Sequence, residues 1–231
     1  MTRIGIIGAM SEEVEIIKSR MDEINTVEIA NMKIYTGDIN NKSIVLALCG
    51  IGKVNAAVCT QILVSEFKVT HVINSGVAGG IADQLNIADM VVSTDVIEHD
   101  FDATSFGYEK GVIPRMEKST FEADKELIDV AMEVAKDFDQ FSTYKGRVVS
   151  GDVFVASKEM KEDLQNTFSA SCAEMEGAAI GHTAYLNNIP FLILRSISDK
   201  ADGTAHDNFN EFVQKAAEHS SEFVMSIIER I

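Results

Sequence analysis

A single α/β domain, built on a central mixed β-sheet with helices on both faces, is the fold this sequence predicts. Strand-like and helix-like segments alternate along the whole chain. No linker, repeat or low-complexity segment interrupts them. Only two prolines, Pro114 and Pro190, punctuate the 231 residues, and an apolar content of 46% supports a sizeable core.

The elements follow in order. Residues 4–8 read as a buried strand, and Ser11 as the N-cap of a helix over 12–21 with helical apolar spacing. Residues 32–39 and 43–48 read as paired strands, because the intervening Asn40-Asn41 suits a hairpin turn. Gly50-Ile51-Gly52 is a turn leading into a helix over 54–67. Residues 71–74 form a short buried strand ending in Gly76-Val77-Ala78-Gly79-Gly80. That run is expected as a ligand-contacting loop, since three glycines and an alanine let a ligand approach the backbone closely. Residues 90–97 are strand. Residues 99–121 lack clear periodicity but hold Phe101, Phe106, Tyr108, Ile113 and Pro114, and loops this long are usually functional or interfacial. A helix over 123–138, a strand over 147–155 containing Gly151-Asp152, helices over 158–168 and 175–186, a strand over 191–198 and a helix over 208–231 complete the chain.

Twenty Lys and Arg against 36 Asp and Glu leave a net charge of −16, which argues against nucleic acid and anionic membranes as partners. It also disfavours a highly phosphorylated substrate, short of a local arginine pocket. Cys49, Cys59 and Cys172 are odd in number and form no CxxC pair, so they read as small buried residues of a reducing compartment. The sequence opens on strand-like residues without a basic n-region, apolar stretch and cleavage site, and no apolar run approaches membrane-spanning length. A cytoplasmic location is expected.

The most informative stretch is Ala173-Glu174-Met175-Glu176-Gly177-Ala178-Ala179, two carboxylates two positions apart among small apolar residues. Acids are rarely buried without a partner or a task. Further on, Phe191-Leu192-Ile193-Leu194 runs into Arg195-Ser196-Ile197-Ser198-Asp199, a buried strand delivering an Arg and an acid at its C-terminal end. Ligands of α/β sheets sit at that end of the strands. Met10-Ser11-Glu12-Glu13 follows the first strand and opens on the same sheet edge. Acids in a first helical turn are often only dipole partners, yet this position favours a role for at least one of them. Together these acids suggest a site that grips hydroxyls and moves protons. Gly50-Ile51-Gly52-Lys53 is neither a dinucleotide fingerprint nor a P-loop: Asn55 stands where the third glycine would be, and Ala47 and Val54 break the P-loop pattern. Such a turn can still present N–H groups to a ligand. His71, His99, His182, His206 and His219 show no metal-binding spacing, and no nucleophile elbow is present. Asp152 after Gly151 fits a catalytic role, and a turn or capping role at least as well.

Eight segments carry a resemblance: Ile4-Gly5-Ile6-Ile7-Gly8-Ala9-Met10, Gly50-Ile51-Gly52-Lys53, Gly76-Val77-Ala78-Gly79-Gly80, His99-Asp100, Phe106-Gly107-Tyr108, Ser150-Gly151-Asp152-Val153-Phe154, Glu174-Met175-Glu176 and Ser198-Asp199. In this order and spacing, over nearly the whole chain, they resemble the 5′-methylthioadenosine/S-adenosylhomocysteine nucleosidases of the purine nucleoside phosphorylase-like fold. The resemblance implies hydrolysis of an adenosine thioether without a cofactor. It makes Glu13 the acid that activates water, Asp199 the acid at purine N7, and Glu176 the carboxylate on the ribose hydroxyls. Met175 would pack on the sugar, Phe154 stack on adenine, the Val155 backbone contact its edge, and Gly79 line the site. Met10, Ile51 and Phe209 would line the sugar and 5′-alkylthio pocket, with Arg195 near the ribose and its acidic partners. In the family a neighbouring subunit completes the 5′ pocket. Ala103, Phe106 and Pro114 match those positions, which implies a homodimer. Val77 departs from a position often occupied by Ser in the family, so any hydroxyl contact to the ribose from that side chain is lost.

The chemistry supports the same division of labour. Breaking an N-glycosidic bond builds oxocarbenium character, the leaving base needs an acid, and water on the opposite face needs a base. A carboxylate on the hydroxyls favours the developing charge. The nearest rival is a phosphorylase of the same fold, which needs an anion pocket. Acids stand where an Arg-bearing phosphate loop is expected, so hydrolysis is favoured. Asp199 argues for adenine, because related 6-oxopurine enzymes commonly use Asn there. A different 5′ substituent, as in futalosine-type hydrolysis, and a non-catalytic nucleoside-binding protein stay open as alternatives.

Overall fold

The computed structural model describes residues 2–231, apart from the side chains of residues 206–208, 210 and 211. Ten strands and six helices alternate as β1 (Arg3–Gly8), α1 (Ser11–Lys18), β2 (Asp22–Ile29), β3 (Met32–Ile39), β4 (Lys42–Leu48), α2 (Lys53–Ser65), β5 (His71–Gly80), β6 (Met90–Glu98), β7 (Thr120–Glu122), α3 (Lys125–Val134), β8 (Thr143–Ser150), α4 (Lys158–Phe168), β9 (Cys172–Glu174), α5 (Gly177–Leu186), β10 (Phe191–Asp199) and α6 (Ala205–Arg230). The sheet runs β10-β6-β8-β9-β5-β1-β4-β3-β2, with β7 beside β6 and a further pairing of β10 with β5. Its ladders are mixed: β1 is parallel to β4 and β5, whereas β10 is antiparallel to β6.

β1 explains how helices come to cover both faces. Residues an odd number apart in a strand point to opposite sides. A Cβ on Gly5 would stand 3.1 Å from Leu63 of α2, and one on Gly8 would stand 2.8 Å from Val14 of α1. The two helices therefore pack on opposite faces of the same strand, between buried Ile4, Ile6 and Ile7. The main core is continuous from Ile4 through Phe191–Leu194 to Phe223–Ile228.

Several elements differ from the sequence reading. The sequence reading places no element between residues 21 and 32; β2 there is an edge strand, exposed over all but its last residue and paired with β3. Gly76–Gly80 is not a loop but the second half of β5, paired with β10 and β9. Arg195 and Glu13 approach Gly76 so closely that a Cβ there would lie 2.8 Å from Glu13 Oε1 and 2.9 Å from Arg195 Nη1. Gly151 and Asp152 lie just beyond β8, which begins earlier, at Thr143. Met10, not Ser11, occupies the cap of α1; Ser11 instead donates to Glu12. The three cysteines are free and buried, as expected. Among the described residues no helix is long and apolar enough to cross a membrane.

Candidate active site

β1, β4, β5 and β10 run parallel and deliver their C-terminal ends to one side of the sheet, where the segments that follow the oppositely directed β8 and β9 also arrive. There, a cavity of about 430 Å³ opens, lined by Met10, Glu13, Ile51, Gly79, Phe154, Met175, Glu176, Asp199 and Phe209, with Val77, Glu174 and Ser198 among the others. Nine of the sequence-predicted site residues are thus brought together. Among the described residues no Lys or Arg is part of this lining.

Glu13 enters from the first turn of α1 and is 4% exposed. Its Oε2 accepts from Ala9 N at 2.7 Å and Met10 N at 3.0 Å, and its Oε1 accepts from Val77 N at 3.3 Å. Burial pushes its pKa up against the opposing pull of Arg195 and these N–H groups. Asp199 ends β10 and is 1% exposed. Oδ1 accepts from Ala201 N at 2.8 Å and Oδ2 from the Ser198 hydroxyl at 2.9 Å. Burial again raises the pKa, although both hydrogen bonds oppose it. Glu176 caps α5, and its Oε1 accepts from Gly52 N at 2.8 Å. Burial, reinforced by the neighbouring charge of Glu174, pushes its pKa up to about 8. The three acids stay protonated to higher pH than ordinary carboxylic acids, as proton-transfer chemistry near neutral pH requires.

Phe154 and Phe209 meet edge to face, with ring centroids 5.8 Å apart. Phe154 is 45% exposed where it lines the cavity. Val77, Met10, Phe209 and Val213 form an apolar wall with Ala216 and Ala217.

Four predicted residues lie outside this lining. Arg195 is 1% exposed and sits behind the cavity. Its Nε donates to Glu174 at 3.1 Å, its Nη1 to Leu194 O at 3.0 Å, and its Nη2 to both Glu174 and Asn74. Arg195, expected near the ribose and its acidic partners, thus has Glu174 as its acidic partner and directs its donors to protein groups. Val155 is buried with Ile97, Leu164 and Phe168. Phe106 is 84% exposed, and neither it nor Pro114 reaches the cavity of its own chain. Asp152 takes the capping reading: its Oδ1 accepts from Lys53 N at 2.8 Å, at the start of α2.

Sequence reasoning missed Glu174, Ser150 and Asn74 as supports of the site. Glu174 accepts from Ser150 Oγ and from Gly177 N, and Asn74 donates to Ile7 O at 2.8 Å. Only Glu174 carried a signal, as one of two acids in an otherwise apolar stretch. Among the described residues no cluster of three potential metal ligands occurs; the side chain of His206 lies outside them.

The class this fold and site define is the phosphorylase superfamily, whose family model matches residues 3–229. A 5′-methylthioadenosine/S-adenosylhomocysteine nucleosidase of Staphylococcus aureus is 41% identical over 229 residues, 99% of this chain and 100% of the relative. The Neisseria meningitidis nucleosidase of the same name, solved in complex with methylthio-immucillin-A, aligns with a TM-score of 0.97 at 38% identity, covering 100% of both chains. Futalosine hydrolase of Helicobacter pylori aligns at 0.95 and 35% identity, covering 100% of this chain and 98% of that one. The chain belongs to the 5′-methylthioadenosine/S-adenosylhomocysteine nucleosidase family of that superfamily.

Proposed function

We propose that this protein hydrolyses the N-glycosidic bond of 5′-methylthioadenosine and S-adenosylhomocysteine, releasing adenine with 5-methylthioribose or S-ribosylhomocysteine. The observation that carries the reading is four buried carboxylates, Glu13, Glu174, Glu176 and Asp199, around one apolar cavity whose lining holds no cation among the described residues.

Asp199, whose pKa burial raises, delivers a proton to N7 of adenine and makes it a better leaving group. Glu13 takes the proton of the attacking water on the other face of the sugar. Three backbone N–H groups, of Ala9, Met10 and Val77, hold its carboxylate. Glu176 accepts from the ribose hydroxyls and favours positive charge on the ring. Phe154 stacks on the base beside Val155, and Met175 packs against the sugar. Phosphorolysis needs an anion pocket, yet Arg195 is already engaged by Glu174 and Asn74, so water is the acceptor.

The protein acts as a homodimer without a cofactor, in the cytoplasm. Ile51, Val54, Val58, Phe106, Tyr108 and Leu186 are exposed large apolar residues, and a partner chain covering them would bring Phe106 and Pro114 to the open 5′ end of the cavity. A second reading keeps the adenosine half but changes the 5′ substituent. The likeness to a futalosine hydrolase favours it, and the apolar wall around Val77 and Phe209 does not discriminate.

The test is adenine release from 5′-methylthioadenosine in phosphate-free buffer, repeated with phosphate. Release without phosphate, with free methylthioribose, is expected. Release only with phosphate, giving a sugar 1-phosphate, would overturn hydrolysis. Faster turnover of a different 5′-substituted adenosine would select the second reading.

A further inference from the structure

Glu174 and Glu176 are two residues apart, yet their surroundings differ in kind. Glu174 closes β9 and accepts hydrogen bonds from the backbone N–H of Glu176 at 3.1 Å, from Gly177 N at 3.0 and 2.8 Å on its two oxygens, and from Arg195 Nε at 3.1 Å. Arg195 Nη2 and the Ser150 hydroxyl add two more. Ser150 Oγ in turn accepts from Ala178 N at 2.7 Å. Glu174 and Ser150 between them therefore satisfy the opening N–H groups of α5 and engage the arginine. This is the most favourable place for an anion, since the helix N-terminus and a guanidinium converge on it. Glu176 receives only Gly52 N on Oε1, and its Oε2 accepts no hydrogen bond among the described residues. Gly177 permits the tight seat: a Cβ there would lie 2.9 Å from Ile193 Cγ2 and 3.2 Å from Glu174 Oε1.

We propose that Glu174 is a positioning residue for the sugar site: by taking Arg195 and the N-terminus of α5, it aims Glu176 into the cavity and denies it a cation. The proposal rests on the nucleosidase reading for its kinetic consequences, but the placement and titration of Glu176 do not depend on that reading. The charged and titratable groups facing Glu176 are Glu174 on β9, Arg195 on β10, Glu13 on α1 and Cys49 after β4, with Asp152 across Gly52. Neutralising Glu174 removes a like charge and leaves the arginine's charge to Glu176. Both effects move the Glu176 titration down from about 8.

The experiment compares wild type, Glu174→Gln and Glu174→Asp by ¹³C-carboxylate NMR titration of Glu176, which needs no substrate, and by steady-state kinetics. In Glu174→Gln the Glu176 midpoint should fall by roughly one unit or more. Displacement of the carboxylate should lower kcat on the order of 100-fold, with Glu174→Asp recovering part of both. A merely structural role would lower thermal stability and leave the midpoint and kcat of the folded protein unchanged; that result would overturn the proposal. If Glu174→Gln does not fold, Ser150→Ala keeps the charge but loosens the clamp, and kcat should fall roughly 3- to 10-fold. An unchanged kcat there would overturn it equally. A wild type that titrates as described but releases no adenine would count against the nucleosidase reading alone.

Discussion

Replacing Asp199 with Asn isolates the proton at N7 from everything else the residue does. The amide has the volume of the acid. Its Oδ1 can still accept from Ala201 N, now at 2.8 Å, and its Nδ2 can donate to the Ser198 hydroxyl that now donates to Oδ2 at 2.9 Å. Stability should change by about 1 kcal/mol or less. What disappears is the transferable proton. General acid catalysis contributes about 10²- to 10⁴-fold, so kcat should fall roughly 1,000-fold, or about 4 kcal/mol in the barrier. Binding of an adenosine thioether should stay within about tenfold of wild type, because the amide still hydrogen-bonds the base. The pH profile gives a second readout. Burial holds the Asp199 pKa above the usual carboxylate range, and the acid form is the active one. Wild-type activity should therefore be lost as pH rises through that raised value, and this alkaline limb should vanish in Asp199→Asn. The acid limb, set by ionisation of Glu13, should remain. Adenine is quantified chromatographically at saturating substrate, with a thermal melt to verify folding. A kcat within tenfold of wild type, or an alkaline limb that persists, would refute the assignment.

Three further outcomes follow from the same geometry. Glu13→Gln should lower kcat by roughly 100-fold or more while KM moves only a few-fold, since the group acts on water; a change confined to KM would reassign it to binding. Glu176→Gln should stabilise the fold at high pH. The folded pKa, about 8, lies above the unfolded value near 4.5, so ionisation weakens the native state as pH rises between them. Melts at pH 5 and pH 9 should show a gain over wild type at the upper pH only, roughly 2–5 kcal/mol. Phe106→Asp should impair self-association in sedimentation and lower kcat/KM for substrates with long 5′ groups. A monodisperse dimer of full activity would show that Phe106 lies outside the interface and the 5′ pocket.

The sequence exposed most of the site because chemistry concentrated in short segments at strand ends. Glu13 and Glu176 each follow a strand of the sheet and Asp199 ends one, and residues 158–168 and 191–198 needed only periodicity to be placed. Elements that depend on neighbours were harder to see. β2, Asp22–Ile29, buries no face, so it has no apolar alternation strong enough to mark a strand. β9 is three residues long and exists through its pairings with β5 and β8. The glycines of β5 look like loop chemistry, but the crowding that demands Gly76 comes from Glu13 and Arg195, 63 and 119 positions away in the sequence. Arg195 read as a ligand because nothing local reveals that Glu174 and Asn74 hold it.

Raised pKa values make the empty cavity closer to neutral than its acids suggest, and this bears on how it accelerates the reaction. A site filled with ionised carboxylates would already be stabilised by solvent or by a bound cation before substrate arrived. Here burial keeps Glu176 substantially protonated at neutral pH, with Glu174 repelling its ionised form. A neutral nucleoside changes this little. An oxocarbenium-like ring favours the carboxylate, so the interaction strengthens as the bond breaks, which is differential binding of the transition state. A permanently cationic sugar mimic should reproduce that step and release protons on binding. Release should peak between the lowered Glu176 pKa and about 8, and fade above it as the free protein becomes ionised. Calorimetry at pH 7 in buffers of different ionisation enthalpy measures the proton count directly. An observed binding enthalpy independent of the buffer would mean that Glu176 is already charged in the empty site, and that its contribution to catalysis is orientation of the ribose rather than a charge that appears with the transition state.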